Sequence, residues 1–422
     1  MPGITNLASQ IQKQLPAELV GFIRSAGELA AFKGEGLYLV GGIVRDLILG
    51  KTNLDIDLVV EGDAIALARQ LAEKESGKIT VHHRFNTAKL QWCQWSIDLA
   101  AARSETYTRP GALPSVKPGS LSDDLFRRDF SINAMAVEIS PDGYGRLIDL
   151  YSGLNDLEHK IIRVLHEKSF TDDATRIWRG LRYEKRLGFQ LEPDTLRLLK
   201  RDIPMLDTIS GDRIRYELEC ILEEPYPEKV LQRAEELGVL AKLGTSLRGN
   251  GWLAEKFNKA RKISSPNQPP LGIYLALLAY PLTDEEKEQL VLYLRLPKSL
   301  AQTLRDTNKI KARLRSLASS ELSPSGIYHL LCGYSPQAVT ANLLASDSPQ
   351  ARQHIQLYLD KLRYIRPALT GNDLIKMGIA PGPGIKEILN RLHDARLDGK
   401  VKSKQGEEGL VRKWLDKKEG II

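Results

Sequence analysis

The first hundred residues contain two kinds of hydrophobic pattern, short apolar runs typical of strands and apolar positions at helical spacing. Together they predict strands packed with helices. Short runs rich in Val, Ile and Leu predict strands at 37–40, 55–60, 78–81, 87–92 and 95–100. Helical spacing predicts helices at 43–49 and 64–75, and an N-terminal helical extension within residues 1–35 that packs against the first domain. The N-terminal part therefore mixes both kinds of element.

The rest of the chain has mainly helical patterns. Turn signals such as Glu224-Pro225 and Ser265-Pro266 separate amphipathic stretches, which predicts an all-helical second part. Residues 105–124 (ETYTRPGALPSVKPGSLSDD) differ, because they are rich in Pro, Gly and Ser and have little periodicity. Long loops inside compact domains are uncommon unless they are functional or disordered, so we expect a mobile loop near the candidate site.

Composition limits the classes of protein to consider. A chain of 422 residues is expected to form two to four domains. It contains no apolar run long enough to span a membrane and no secretory signal pattern, so we expect a soluble cytoplasmic protein. The three cysteines are far apart, which argues against a disulfide framework or a zinc site. A net charge of +7 permits a polyanionic partner without proving one.

The stretch from Gly36 to Glu61 contains the first candidate chemistry. Gly41 and Gly42 form a tight turn before a helix, where backbone N–H groups can approach a phosphate. Asp55 and Asp57 are two residues apart in a predicted strand, so their side chains leave the same face. Paired carboxylates beside a phosphate site suit Mg²⁺. Each feature alone is more often an ordinary turn or a solvated strand face.

Two further segments carry charged residues in suggestive positions. Asp98 lies in a predicted buried strand, where it is either a third metal ligand or the partner of Arg103 or another neighbour. Residues 169–189 predict a helix that Thr171 caps and Gly188 ends, with a polar face opposite an apolar one. The polar face is formed by Asp172, Asp173, Arg176, Arg179 and Tyr183.

The motifs together identify a resemblance. GG-x-VRD-x-x-LG-x-x-x-x-D-x-D at 41–57 resembles the signature of the nucleotidyltransferase superfamily of DNA polymerase beta type, in its class II tRNA nucleotidyltransferase and bacterial poly(A) polymerase branch. RRDFSINAMA at 127–136 is similar to the second motif of that family, with Ser131 where Thr is usual. Asp149, Gly153 and the Asp156-Leu157 pair match the third motif, and residues 169–189 and 209–222 match later ones.

The resemblance implies an α+β fold with four parts. A catalytic nucleotidyltransferase head, a mixed β-sheet with helices, would occupy residues 1–157. An all-α remainder would follow, with a base-recognition neck at 158–214, a body at 215–310 and a tRNA-binding tail at 311–422.

The resemblance also assigns roles to individual side chains. Asp55, Asp57 and Asp98 would hold Mg²⁺ and act in catalysis. Asp173 and Arg176 would present an acceptor and donors to the base, while Asp172 supports Arg176. The remaining nucleotide-binding residues would be Gly41, Gly42, Arg45, Arg128, Asp129, Asn133, Arg179 and Arg182, with Arg45 and Arg128 on the triphosphate. Asp129 and Asn133 would help to order the site and the ribose, and Arg179 and Arg182 would hold phosphate or orient their neighbours.

The implied activity is the addition of C, as CC or full CCA, to the 3′ end of tRNA from CTP and ATP. Poly(A) polymerase or A-only addition is the alternative within the family. The segment KITVHHRFNTAKL lacks the G-[RK]-R element common in the poly(A) polymerases, and the absence of an additional domain favours C addition over an A-adding enzyme. A non-catalytic RNA-binding protein is the alternative from another class, and no stable protein partner is evident.

Overall fold

The computed structural model describes residues 5–416, and these form two compact units that divide between Leu218 and Glu219. The predictions for residues 1–4 and 417–422, within the N-terminal extension and the tail, lie outside the described residues. None of the helices in the described range is both long and apolar enough to cross a bilayer. The finer division into head, neck, body and tail stays a prediction.

The first unit contains a sheet with helices around it. Its strands are β1 Leu37–Val40, β2 Ile56–Val60, β3 Lys78–His82, β4 Thr87–Trp92, β5 Trp95–Ala101, β6 Arg103–Thr106, β7 Ser115–Pro118, β8 Met135–Glu138, β9 Leu147–Asp149, β10 Ile161–Ile162 and β11 Gln190–Leu191. Its helices are α1 Ala8–Gln14, α2 Ala17–Phe32, α3 Gly42–Ile48, α4 Ala64–Glu75, α5 Leu121–Phe126, α6 Gly153–Glu158, α7 Ser169–Asp172, α8 Thr175–Leu187 and α9 Pro193–Asp202. Helix α10, Gly211–Leu222, spans the division between the units.

Seven strands form one mixed sheet in the order β3-β4-β5-β2-β1-β8-β9. Only β2 and β5 among its paired strands are parallel, and the other pairs are antiparallel. The five strands predicted from residues 37–100 and the helices at 43–49 and 64–75 are confirmed within one or two residues. The α+β prediction for this part of the chain is therefore confirmed.

The two faces of the sheet are covered unequally. One face packs against α2 and α4, which contact β1, β4 and β5. On the other face, Leu121 and Leu125 of α5 pack with Val59 and Ala102, near the ends of β2 and β5. Asp57 shares this face with Val59 because the two are two residues apart in one strand. The start of β2, with its carboxylates, is consequently left free of the apolar cluster.

Residues 105–124, which were expected to form an irregular loop, instead contain regular elements. β6 and β7 form an antiparallel hairpin in which Glu105 lies opposite Val116. At its tip, a Cβ built on Gly111 would lie 2.4 Å from the carbonyl oxygen of Thr208, so the tip packs closely against that segment. α5 follows, and Ser120 and Asp123 form a reciprocal capping box at its start. The prediction of a long irregular loop was wrong because local turn chemistry and packing supply structure that periodicity does not reveal.

The second unit is helical throughout its described part, as predicted. Its helices are α11 Pro227–Glu236, α12 Gly251–Ser264, α13 Leu271–Leu278, α14 Asp284–Tyr293, α15 Lys298–Ala312, α16 Leu314–Leu317, α17 Pro324–Leu331, α18 Pro336–Ala345, α19 Pro349–Asp360, α20 Gly371–Lys376, α21 Pro383–Leu397 and α22 Lys404–Asp416. One apolar core forms around Ile327, Val339 and Ile355. A second forms around Leu374 and Ile388.

The contact between α2 and the sheet depends on Gly27. A Cβ at this position would lie 1.9 Å from the carbonyl oxygen of Ile139, so we expect Gly27→Ala to destabilise the protein by about 1–3 kcal/mol. Gly21, in the same helix, has no atom within 4 Å of the corresponding position. Gly21→Ala is the matched control and should stabilise by about 0.5–1 kcal/mol. Urea unfolding measures both; equal midpoints for the two variants would contradict the packing argument.

Candidate active site

Three aspartate side chains meet at the uncovered part of the sheet. β2 and β5 run parallel, and Asp57 lies directly opposite Asp98 in their register. Asp55 precedes β2 by one residue. One carboxylate oxygen from each aspartate lies within 4.8 Å of the others. The structure thus brings together the three carboxylates that the sequence singled out, and such closely grouped hard oxygen ligands suit a divalent cation.

Burial and the neighbouring carboxylates disfavour the ionised form of Asp57. Burial, and then the negative charge of Asp55, raises the pKa of Asp57 to about 6, although the positive charge of Arg128 opposes this rise. A cation held among the three carboxylates would counter the repulsion and favour the ionised form. The donor set therefore fits a divalent cation by its charge as well as by its spacing.

The surroundings of Asp98 differ from the expectation. Its side chain is 44% exposed and pairs with Lys89 of the neighbouring strand at 3.2 Å. Arg103, the alternative partner, donates instead to Glu105 at 3.1 Å. The expectation of a buried carboxylate was wrong because α5 covers β5 only near its end, at Ala102, and not at Asp98.

The glycine turn before α3 leaves room for Arg128. Gly41 has a φ of +77°, and a Cβ built on it would lie 2.9 Å from Nη1 of Arg128 and 3.8 Å from a carboxylate oxygen of Asp57. A residue without a side chain is therefore needed at this turn. The next residue, Gly42, begins α3.

Arg128 combines a fixed position with an unused donor. Its Nη2 donates to Asp124 at 2.9 Å. Its Nε is buried and has no hydrogen-bond partner among residues 5–416. A cleft of about 310 Å³ opens here, lined in part by Asp57, Asp98 and Arg128. A guanidinium that lines a cleft beside a carboxylate cluster is suited to binding phosphate.

Arg45 does not present its guanidinium to this cleft, contrary to the expectation that it binds the triphosphate. It is 3% exposed. Its Nε and Nη2 donate to Asp46 at 2.9 and 2.8 Å, and its Nη1 donates to Asn133 at 2.8 Å. Asn53 in turn donates to Asp46 at 2.8 Å and accepts from the backbone N–H of Asp55 at 2.9 Å. Arg45 therefore positions the metal-site backbone from within the core.

Asp129 and Asn133 continue this buried network. Oδ1 of Asp129 accepts from the Asn133 amide at 3.0 Å, and its Oδ2 accepts from Nε of Arg179 at 2.8 Å. Burial alone would raise the pKa of Asp129, but the charge of Arg179 keeps it below its usual value. These contacts fit the expected ordering role, while contact between Asn133 and a ribose stays a prediction.

The base-recognition segment begins differently from the expectation. Thr171 does not cap α8, because α7 ends at Asp172 and Thr171 donates instead to Asp202 at 3.3 Å. Asp173 is extended and breaks the helix. Its Oδ1 accepts from the backbone N–H and the hydroxyl of Thr175 at 3.0 and 2.6 Å. The conformation of Asp173 therefore separates two helices where one was predicted.

Arg176 and Asp173 are held by groups distant in sequence. Arg176 is buried; its Nη1 donates to Ser169 at 2.7 Å and its Nη2 to the carbonyl of Arg127 at 2.7 Å. Oδ2 of Asp173 pairs with Arg213 at 2.8 Å. The contacts that hold Arg176 thus differ from the expected support by Asp172, which lines a neighbouring cavity.

Arg179 and Arg182 join α8 to α10. Their guanidinium groups lie 3.8 Å from the two carboxylate oxygens of Glu217. The ring of Tyr183 is packed by the guanidinium groups of Arg45, Arg179 and Arg182, at 5.4, 5.8 and 5.5 Å from its centroid. These positions support the orienting role predicted for the two arginines, and a phosphate contact by either stays a prediction.

The sequence argument missed the cavity next to this segment. It has a volume of about 420 Å³, and its lining includes Glu105, Tyr107, Arg127, His166 and Lys168. Tyr107 donates to Glu105 at 2.9 Å. The Pro110-Gly111 turn between two short extended runs was the available signal for the hairpin that forms this wall.

Comparison with known proteins agrees with this geometry. Residues 37–163 match the family model described as "Poly A polymerase head domain". Residues 188–244 match the model described as "Probable RNA and SrmB- binding site of polymerase A".

Several curated proteins are similar over most of the chain. An A-adding tRNA nucleotidyltransferase of Geobacter sulfurreducens is 34% identical over 96% of the chain, which spans about half (48%) of that relative's length. An A-adding relative from Halalkalibacterium halodurans is 31% identical, over 99% of the chain and 97% of its own length. A CC-adding tRNA nucleotidyltransferase of Deinococcus radiodurans is also 31% identical, with 96% of each protein covered.

Solved structures extend the comparison to three dimensions. A CCA-adding enzyme in an apo form matches with a TM-score of 0.81 and 31% identity, over 97% of the present chain and 98% of the enzyme's own chain. The Thermotoga maritima CCA-adding enzyme complexed with tRNA matches with a TM-score of 0.77 and 31% identity over the same shares. A CCA-adding enzyme in complex with CTP matches with a TM-score of 0.79 and 30% identity, over 98% of the chain and 99% of the enzyme's own length. On these grounds the chain belongs to the family of tRNA nucleotidyltransferases and poly(A) polymerases.

Proposed function

We propose that this chain is a template-independent tRNA nucleotidyltransferase of the cytoplasm, which transfers C or A from CTP or ATP to the tRNA 3′ end and releases pyrophosphate. The observation that carries the proposal is the group formed by Asp55, Asp57 and Asp98 beside Arg128, which lines the same cleft. The names of the relatives, and the solved relatives with tRNA and with CTP, support the choice of substrates.

Asp55, Asp57 and Asp98 would hold the divalent cation, and Mg²⁺ is the one we propose because it prefers carboxylate and phosphate oxygens. When bound, the cation activates the terminal 3′-hydroxyl and neutralises charge on the triphosphate. The guanidinium of Arg128, which lines the cleft, would donate to a phosphate oxygen at the turn that Gly41 keeps open. The Arg45 network keeps the backbone of Asp55 in place beneath that turn.

Asp173 and Arg176 select the base. Cytosine and adenine both place an exocyclic amino donor next to a ring-nitrogen acceptor, which pairs with one carboxylate and one guanidinium. Uracil and guanine place a carbonyl and an N–H in those positions, so like groups would face each other at a cost of about 1–3 kcal/mol per buried group. Arg213 keeps the carboxylate of Asp173 in position. Selection of C and A therefore needs no nucleic-acid template.

Members of the family differ in which nucleotides they add and in how many they add. The inference from chain length that favoured C addition is wrong, because an A-adding relative is matched over 97% of its own length. Identity does not separate the A-adding and CC-adding relatives, both at 31% over nearly the whole chain. A-only addition is favoured as the second candidate by the Geobacter relative, which is A-adding and 34% identical.

Product length decides among these activities. The protein is incubated with Mg²⁺, with CTP alone, ATP alone or both together, one of them labelled, and with tRNA that ends before, within or after CC. Two C residues, a complete CCA, a single A or a long A tail identify CC-adding, CCA-adding, A-adding and poly(A) activity in turn. Binding of tRNA without extension would contradict the proposal in favour of a non-catalytic RNA-binding protein.

Asp55→Ala removes one ligand of the cation. We expect the incorporation rate to fall by roughly a thousandfold or more, because activation of the hydroxyl and charge neutralisation both depend on the cation. Binding of tRNA should be unchanged in an anisotropy titration. Asp142→Ala, at an exposed position, is the control and should incorporate like the wild type. Turnover near the wild-type rate in Asp55→Ala would rule out the assigned role.

Asp57→Asn tests the repulsion among the carboxylates. The pKa of Asp57 is raised from 3.8 to about 6 in the folded protein. Its ionisation therefore lowers the free energy of unfolding as the pH rises from about 3.8 to 6, and the full loss of stability is present above pH 6. In EDTA at pH 8 we expect the variant to melt a few degrees above the wild type, with a smaller gain at pH 4.5. Mg²⁺ should raise the Tm of the wild type only.

Calorimetry measures these transitions, with Asp142→Asn as the charge-matched control. A variant that melts below the wild type in EDTA at pH 8 would be inconsistent with strong repulsion at this position.

Asp173→Ala removes the acceptor for the base. We expect kcat/KM for the preferred nucleotide to fall roughly 5- to 150-fold, since about 1–3 kcal/mol of hydrogen bonding is lost. Discrimination against UTP and GTP should weaken at the same time. Asp194→Ala, on the exposed surface of α9, is the control. A uniform loss for all four nucleotides would show that Asp173 does not select the base.

A further inference from the structure

Three aromatic side chains form an exposed cluster beside the base-recognition cavity, and none has a role in the proposed site. Phe126 ends α5 and packs against Tyr151, with ring centroids 5.7 Å apart, and against His166 at 5.1 Å. Phe126 nevertheless remains 45% exposed. A large part of the ring thus has no protein neighbour within the first unit's described residues, although the ring is supported on two sides.

The cluster is held in place by the surrounding structure. The hydroxyl of Tyr151 donates to the carbonyl of Ser122, within α5, at 3.2 Å. The start of α5 is fixed by its capping box, and Asp124 within the helix accepts from Arg127 and Arg128, which follow its end. Burial, and then the charge of Arg176, lowers the pKa of His166, which favours its neutral ring. The exposed face of Phe126 is therefore presented by rigid supports.

The position of the cluster relates it to the reacting groups. Phe126 and His166 line the cavity of about 420 Å³ that also contains Lys168 and Arg176. Arg127, the residue after Phe126, lines both this cavity and the cleft of the three carboxylates. The two spaces therefore adjoin at one arginine, and the aromatic cluster lies on the side of the cavity that includes Arg127.

We propose that the exposed face of Phe126 stacks on the terminal base of the RNA acceptor and so positions the 3′-hydroxyl. This inference rests on the proposed function and names the subsite for its second substrate. The acceptor end is single-stranded, and proteins hold such bases by stacking on aromatic rings within positively charged grooves. Lys168, which lines the same cavity, supplies positive charge for the adjoining phosphate, while Asp173 and Arg176 are assigned to the incoming base.

Variants at two exposed phenylalanines test the stacking. Phe126→Leu keeps an apolar side chain and removes the ring, and we expect KM for the RNA to rise about tenfold. The kcat at saturating RNA should fall as well, because the stacked base no longer positions the 3′-hydroxyl, while KM for the nucleotide and the Tm should remain at wild-type values. Phe126→Trp retains an aromatic face and should restore KM to within about twofold. Phe32→Leu, at the 91% exposed end of α2, is the matched control without an effect.

An RNA that lacks only its last base distinguishes stacking from a general effect of the substitution. With an abasic 3′-terminal nucleotide, the affinity of the wild type, measured by anisotropy, should fall about tenfold. Phe126→Leu should bind the intact and the abasic RNA equally, because the ring and the base act as one pair.

The inference would be overturned if removal of the ring and removal of the base each lowered RNA affinity independently, or if the Kd for RNA were unchanged in Phe126→Leu. The latter result would favour an apolar protein segment as the partner of Phe126. Failure of the proposed function is distinguishable, since the wild type would then bind RNA without extending it in any of these assays.

Discussion

A buried carboxylate, Asp129, connects the two halves of the candidate site. One of its oxygens accepts from Asn133, which bonds Arg45 beneath the glycine turn, and the other accepts from Arg179 of α8. Because every member of this chain of contacts is charged or strongly polar, removal of one leaves its neighbours buried without partners. The carboxylates and α8, the helix predicted to recognise the base, are therefore positioned by a single continuous network.

The carboxylate cluster itself opposes the stability of the fold. Three acidic groups converge where the sheet is left uncovered, and burial beside Asp55 penalises the ionised form of Asp57. The surrounding structure tolerates this arrangement through nearby positive charge on Lys89 and Arg128. Electrostatic destabilisation of this kind is typical of functional sites, where the groups needed for binding lower the stability of the fold.

Local patterns were sufficient to predict β1, α3, β2 and the shared face of Asp55 and Asp57, because strand periodicity determines which face a side chain leaves, whereas Asp98 was added to them only by the resemblance to the family. They were insufficient where partners are distant in sequence. The burial of Arg45 depends on Asn133, 88 residues away, and the support of Arg176 comes from the carbonyl of Arg127. The hairpin at 103–118 was missed because its strands are short and their packing against residue 208 is a tertiary contact.

The register between β2 and β5 limits how this region can evolve. Asp57 and Asp98 share a face only because their strands are aligned residue against residue. Insertion or deletion of a single residue inside either strand would send one carboxylate to the opposite face, whatever the chemistry of the new residue. Length changes should therefore accumulate at the Cys93-Gln94 turn and in the hairpin tip, and related chains should differ in length there while the two strands keep constant lengths.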